Sequence, residues 1–157
     1  MKFGTNTLLA KFDQFLRETG NVGGMALFDN TTDFKQSNHL KDAFNLGLLK
    51  YDDTRIPLKN IVKVGTTNAG MSHLNSVTDI VVGSFRFVVN EPDKDEVGMF
   101  LYQRLAQLMW GRLDQKGVFK IEERGLVIRP QKIEMNKYKA DIASFISRMN
   151  NYGSSAA

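Results

Sequence analysis

The sequence predicts an α+β fold in which a small, mainly antiparallel sheet packs against one long helix, with further helices at both ends. Three observations favour this class. Residues 78–89 form an apolar run typical of a strand covered on both faces. Residues 93–113 have the apolar spacing of an amphipathic helix, and residues 118–129 alternate about a turn, as a hairpin does. Helices and strands do not alternate regularly, and the 157 residues are expected to form a single domain.

The first 55 residues are predicted to be mainly helical. A helix over residues 6–19 is expected because apolar side chains recur there at helical spacing and Gly20 can end it. The apolar patch at residues 25–28 can hold one brief strand. A second helix is predicted to be capped by Ser37. Its apolar face would consist of Leu40, Phe44, Leu48 and Tyr51.

Residues 56–130 are predicted to build the sheet and its helix. A strand at residues 61–64 would lead into the polar stretch 66–77, which is either a long loop or the tip of an extended hairpin. The strand over residues 78–89 would follow. The long helix after it would bury one stripe, formed by Val97, Phe100, Leu101, Leu105, Leu108 and Met109.

The chain is predicted to close with a hairpin and a helix. Gly125 would supply the positive φ that a tight hairpin turn between residues 118–121 and 126–128 commonly needs. A last helix is expected within residues 131–150, and residues 151–157 would form a flexible tail.

Composition argues against most enzyme classes. The chain has no cysteine, which excludes disulfides and thiolate metal sites. His39 and His73 are far apart and lack partners at ligand spacing, so each is interpreted as a surface residue. No phosphate-binding glycine motif occurs. We therefore predict no catalytic residues, no metal and no cofactor.

The sequence also bears on location. The first residues lack the apolar core of a signal peptide, and no apolar run approaches the roughly 20 residues needed to span a bilayer. The expected setting is the cytoplasm or a particle assembled there, with no membrane partner.

The basic charge lies mainly in the last third of the chain. The net charge is +4, and residues 104–139 hold nine basic residues against four acidic ones, a local balance of +5. A stripe of this kind can contact phosphate groups. One hypothesis is therefore a nucleic-acid-binding module that contacts the backbone through Lys120, Arg124, Arg129 and Lys132.

The order of elements over about residues 57–130 resembles the tail-terminator and head–tail completion (neck) proteins of tailed bacteriophages. The stretches that carry the resemblance are 61–64, 66–77, 79–89, 93–113 and 118–128. The second predicted helix and the C-terminal helix would be additions to that family's pattern. The resemblance implies a non-enzymatic virion protein, assembled in the host cytoplasm, that forms a homo-oligomeric ring, often of six subunits, and contacts neighbouring tail or neck proteins.

The expected contact residues come from two places. The resemblance implies that the polar stretch 66–77 reaches a neighbouring protein. Trp110 is interpreted as a residue at the edge of the core with its N–H bonded, or alternatively as an anchor at a subunit interface beside two arginines, because Trp and Arg are enriched at interfaces. The resulting interface hypothesis comprises Asn68, Met71, His73, Leu74, Arg104, Trp110 and Arg112.

Overall fold

The computed structural model describes residues 2–20, 23–29, 34–50, 52–68, 73–91, 94–129 and 134–153. The helices among them are α1 (Lys2–Glu18), α2 (Phe34–Leu46), α3 (His73–Asn90), α4 (Asp95–Leu108) and α5 (Asn136–Gly153). The strands are β1 (Gly24–Asp29), β2 (Leu48–Leu49), β3 (Arg55–Ile56), β4 (Ile61–Thr67), β5 (Arg112–Leu113) and β6 (Phe119–Lys120). The mixture of helices and small sheets confirms the α+β class.

The chain divides into two compact units, Met1–Ser76 and Val77–Ala157. That these units make up a single domain stays a prediction. The described strands form three separate pairs, where one mainly antiparallel sheet was predicted. The pairs β2–β3 and β5–β6 are antiparallel, whereas the longest pair, β1–β4, is parallel. A parallel pair needs a long connection between its strands, and α2 lies within that connection.

Unit 1 packs α1 and α2 against one face of the β1–β4 pair. Its buried residues are Leu9, Leu16, Leu40, Ala43, Leu48 and Ile61. Gly24 begins β1 where the strand passes closely over α1, since a Cβ atom at this position would overlap the Leu16 side chain. The Asp13 carboxylate of α1 accepts hydrogen bonds from the Asn60 backbone N–H (2.7 Å) and side-chain amide (3.2 Å), which fixes the start of β4.

The second helix ends earlier than predicted. It runs over Phe34–Leu46, so Ser37 lies inside it and not at its cap. Gly47 has φ +89° and ends the helix in a left-handed conformation. Leu48 is buried as predicted, but it lies on β2. Tyr51 lies outside the described residues.

Unit 2 contains residues 77–90 of α3, together with α4, the β5–β6 hairpin and α5. Its buried residues are Val88, Tyr102, Leu105, Ala106, Ile121, Phe145 and Met149. The Tyr102 hydroxyl donates to the Val88 carbonyl oxygen (3.1 Å), and burial raises the pKa of this tyrosine. Phe85 and Phe145 meet edge to face with ring centroids 5.3 Å apart. The predicted C-terminal helix is confirmed, and it continues through residue 153, where a flexible tail was expected.

The prediction of a strand at residues 78–89 is wrong, because α3 occupies this stretch. The many β-branched residues favoured a strand. Val81, Phe85 and Val88 instead face the unit 2 core at helical spacing. The predicted long loop is shortened from both sides, since residues 66–67 belong to β4 and residues 73–77 to α3. Residues 69–72 lie outside the described residues.

The predicted hairpin is displaced along the chain. Its ladder joins β5 to β6, while residues 126–128 contribute only a single bridge from Leu126 to Glu122. The turn is stabilised by the Asp114 carboxylate, which accepts hydrogen bonds from the backbone N–H groups of Lys116 (2.8 Å) and Val118 (3.0 Å). The prediction of a positive φ at Gly125 is wrong, and Glu123 has φ 55° instead.

Candidate interaction surface

Helix α4 has two apolar faces, and only one of them is buried. Leu105 on the inner face is 4% exposed and packs with Tyr102 and Ala106 in the unit 2 core. Val97 is 55% exposed, Phe100 54% and Leu108 67%, so they lie outside the buried arc of the helix. The prediction that these three residues are buried with Leu105 is therefore wrong. We call Val97, Phe100, Arg104 and Leu108 the outer face of α4.

The outer face also carries charge in a regular order. Glu96, Phe100 and Arg104 are four residues apart, so their side chains lie one above the other along the helix. The Arg104 guanidinium carbon is 5.4 Å from the centroid of the Phe100 ring, a cation–π contact. Within the described residues, neither Glu96 nor Arg104 forms an ion pair. On this surface the aromatic ring of Phe100 therefore lies between the acidic side chain of Glu96 and the basic side chain of Arg104.

The predicted interface residues are distributed over both units. Asn68 is exposed after β4, and His73 and Leu74 are exposed in the first turn of α3. Met71 lies outside the described residues. Arg104 is exposed on α4 and Arg112 on β5. Among the described members, Arg104 lies beside exposed apolar residues of α4.

The contacts described for Trp110 lie within unit 2. Its ring is half-buried, with the Arg124 guanidinium carbon 5.6 Å from the ring centroid. Its carbonyl oxygen accepts a hydrogen bond from the Gly125 N–H (2.8 Å). A Cβ atom on Gly125 would lie 2.6 Å from that oxygen, so close backbone approach explains the glycine. Trp110 thus joins the end of α4 to the segment after β6.

The cations of the phosphate-contact hypothesis are engaged within the chain. Lys120 Nζ is 3.4 Å from Asp114 Oδ2. Hydrogen bonds from the backbone N–H groups of Val118 and Lys116 hold the pKa of Asp114 below its ordinary value. Arg129 donates to both Glu123 carboxylate oxygens, at 2.8 and 3.0 Å.

With Arg124 over Trp110, three of the four proposed phosphate contacts already have partners inside the protein. The fourth, Lys132, lies outside the described residues. To contact phosphate, each of these three cations would have to leave its internal partner.

Unit 1 contains an open cleft of about 790 Å³ between α1, α2 and the β2–β3 pair. Its walls are mostly apolar, and Phe3, Leu49 and Ile56 line them. His39 lies half-buried at the cleft, with Nε2 2.8 Å from Asn6 Oδ1. Sequence spacing does not predict this pair, because its two residues meet only through the packing of α1 on α2.

In the part of the chain that the structure describes, no group of three or more His, Asp and Glu side chains is arranged to hold a metal ion. No described helix combines the length and apolar content needed to cross a membrane.

Comparison with known proteins gives no relative. No protein-family model, no curated protein and no solved structure matches this chain.

Proposed function

We propose that this protein is a non-enzymatic assembly protein that acts by binding copies of itself. The outer face of α4 carries this proposal. Val97, Phe100 and Leu108 are each more than half exposed, although the other side of the same helix already completes the unit 2 core. Scattered exposed apolar residues are normal, but neighbouring ones on one face are typical of a contact surface.

A ring at a phage tail or neck, in contact with neighbouring tail or neck proteins, is the more specific form of the proposal. It rests on the sequence resemblance. Two of the stretches behind that resemblance have the expected structure: β4 covers the strand at 61–64, and α4 lies within the predicted long helix. Residues 79–89, expected as a strand, are helical. Self-contact through α4 is therefore better supported than the ring, the partners or the virion setting.

Nucleic-acid binding is the weaker alternative. Binding to nucleic acid requires cations that can leave their internal partners and contact phosphate. Glu123 accepts two hydrogen bonds from Arg129 and therefore competes with phosphate for this side chain. If phosphate contacts dominated, affinity for single-stranded DNA would fall steeply with salt, because bound counterions are released. The variant Glu123→Gln would then bind more tightly than the wild type. An affinity that responds to neither change would remove this alternative.

Light scattering coupled to size-exclusion chromatography tests the main proposal. We expect the average mass of the wild-type protein to rise above that of one chain as its concentration increases. Val97→Asp should shift this rise to higher concentration, because a carboxylate would have to be buried in the contact. Val82→Asp on α3 is the matched control, since Val82 is a 59% exposed helical valine outside the outer face. A strictly monomeric wild-type protein would contradict the proposal.

A further inference from the structure

The outer face of α4 is complementary to itself when two helices meet antiparallel. Glu96 lies four residues before Phe100, and Arg104 lies four residues after it. The helix rises about 1.5 Å per residue, so Glu96 and Arg104 are about 12 Å apart along the axis and cannot pair with each other in one chain. If a two-fold axis passes by Phe100, each Glu96 lies opposite the Arg104 of the other copy.

We propose that a second copy of this chain docks antiparallel on α4, with Phe100 against Phe100 and two Glu96–Arg104 ion pairs across the contact. This inference rests on the proposed self-association and specifies its geometry. A two-fold contact presents the same patch on both copies, and a surface with an acid and a base placed evenly about an apolar centre meets that requirement. Antiparallel helices also place opposite dipole ends side by side.

The side chains present are suited to the centre of such a contact. The two Phe100 rings, which are exposed in the single chain, would bury each other. Val97, one turn earlier on the helix, would widen the apolar strip around them. The cation–π contact holds Arg104 beside the Phe100 ring, so this long side chain is partly ordered before it binds. Charges at the rim of an interface select the partner and its orientation more than they add affinity.

This contact closes at a dimer. A two-fold interface uses the same surface on both copies and leaves none of it for a third. A ring of six would then be three such dimers joined through another surface.

Charge reversal gives a test that misfolding cannot imitate. In a dimer of Glu96→Arg, both ion pairs would become contacts between two arginines, and in a dimer of Arg104→Glu they would become contacts between two glutamates. We expect each single variant to have a dimer dissociation constant about tenfold higher than the wild type.

An equimolar mixture of the two variants should form a heterodimer. In a pair of like variants both cross-contacts repel, so each variant prefers the other as its partner. In the heterodimer one chain contributes two bases and the other two acids, and both contacts therefore join opposite charges. Sedimentation equilibrium on each variant and on the mixture measures this, and circular dichroism checks the fold of each variant.

A cysteine probe supplies an independent readout. Because the chain has no cysteine, Phe100→Cys introduces its sole thiol. A short bismaleimide should crosslink this variant into dimers faster than it crosslinks Ser144→Cys, whose thiol would stand at an exposed position on α5. Equal crosslinking of the two variants would overturn the inference.

The outcomes separate this inference from the proposed function. If the wild type self-associates but neither single variant weakens it, or the mixture does not recover, the antiparallel α4 contact is refuted and self-association stands. If the wild type remains monomeric at all concentrations, both fail.

Discussion

Two leucines on α4, three residues apart, should respond very differently to the same substitution. Leu105 is 4% exposed and packs in the unit 2 core, whereas Leu108 is 67% exposed on the outer face. Leu105→Ala removes buried carbon atoms and leaves a cavity, so we expect a loss of about 2–4 kcal/mol in the free energy of unfolding. Leu108→Ala removes about a third of that burial and gains helix propensity, so the loss should stay below about 1 kcal/mol.

Urea unfolding followed by tryptophan fluorescence measures both losses. Trp110 is the sole tryptophan of the chain, and its contacts with Arg124 and Gly125 lie within unit 2, so its emission reports on the unit that contains both leucines. The denaturant dependence of the unfolding free energy should be the same in both variants. Equal losses for Leu105→Ala and Leu108→Ala would mean that α4 buries both faces, and the outer face would then not exist as an exposed surface.

Three further substitutions test other contacts. Gly125→Ala should lower the unfolding free energy by about 1–3 kcal/mol, because the new methyl group would press on the Trp110 backbone; an unchanged urea midpoint would contradict the close approach. The lowered pKa of Asp114 implies a stabilisation that is present above the ordinary carboxyl pKa of 3.8 and is lost as the pH falls through the folded-state pKa. Asp114→Asn should therefore lose less stability on acidification than the wild type, and equal losses would show that this carboxylate is not responsible. Asp13→Ala should lower the unfolding free energy by about 1–3 kcal/mol, because it leaves the Asn60 N–H without its acceptor. Far-ultraviolet circular dichroism during urea unfolding measures this loss, and an unchanged unfolding free energy would mean that water replaces the acceptor.

The helices that have one clear apolar stripe were predicted from sequence, and α3 was not. Its β-branched residues imitate a strand, yet Asp79, Gly83, Arg86 and Asn90 form a polar stripe at helical spacing on its outer side. That stripe was the available signal. The parallel pairing of β1 with β4 had no comparable signal, because it depends on how α2 packs between distant parts of the chain.

The candidate surface could be predicted only in part. The sequence shows that α4 is apolar over a wide arc, but it does not show which part of that arc is buried. Packing decides this, since Phe145 and Met149 of α5 and Ile121 cover the side that carries Leu105. Arg104, a predicted contact residue, lies on the outer face, whereas Phe100 and Val97 were predicted to lie in the core because an apolar residue in a helix usually belongs there.

Methyl NMR on a dilution series tests the contact role of the outer face most directly. As the protein concentration rises, the methyl signals of Val97 and Leu108 should move, while those of the buried Leu9 and Val88 stay in place. Signals of Val97 and Leu108 that do not change with concentration, or changes confined to other residues, would contradict the claim that this protein binds its own copies through α4.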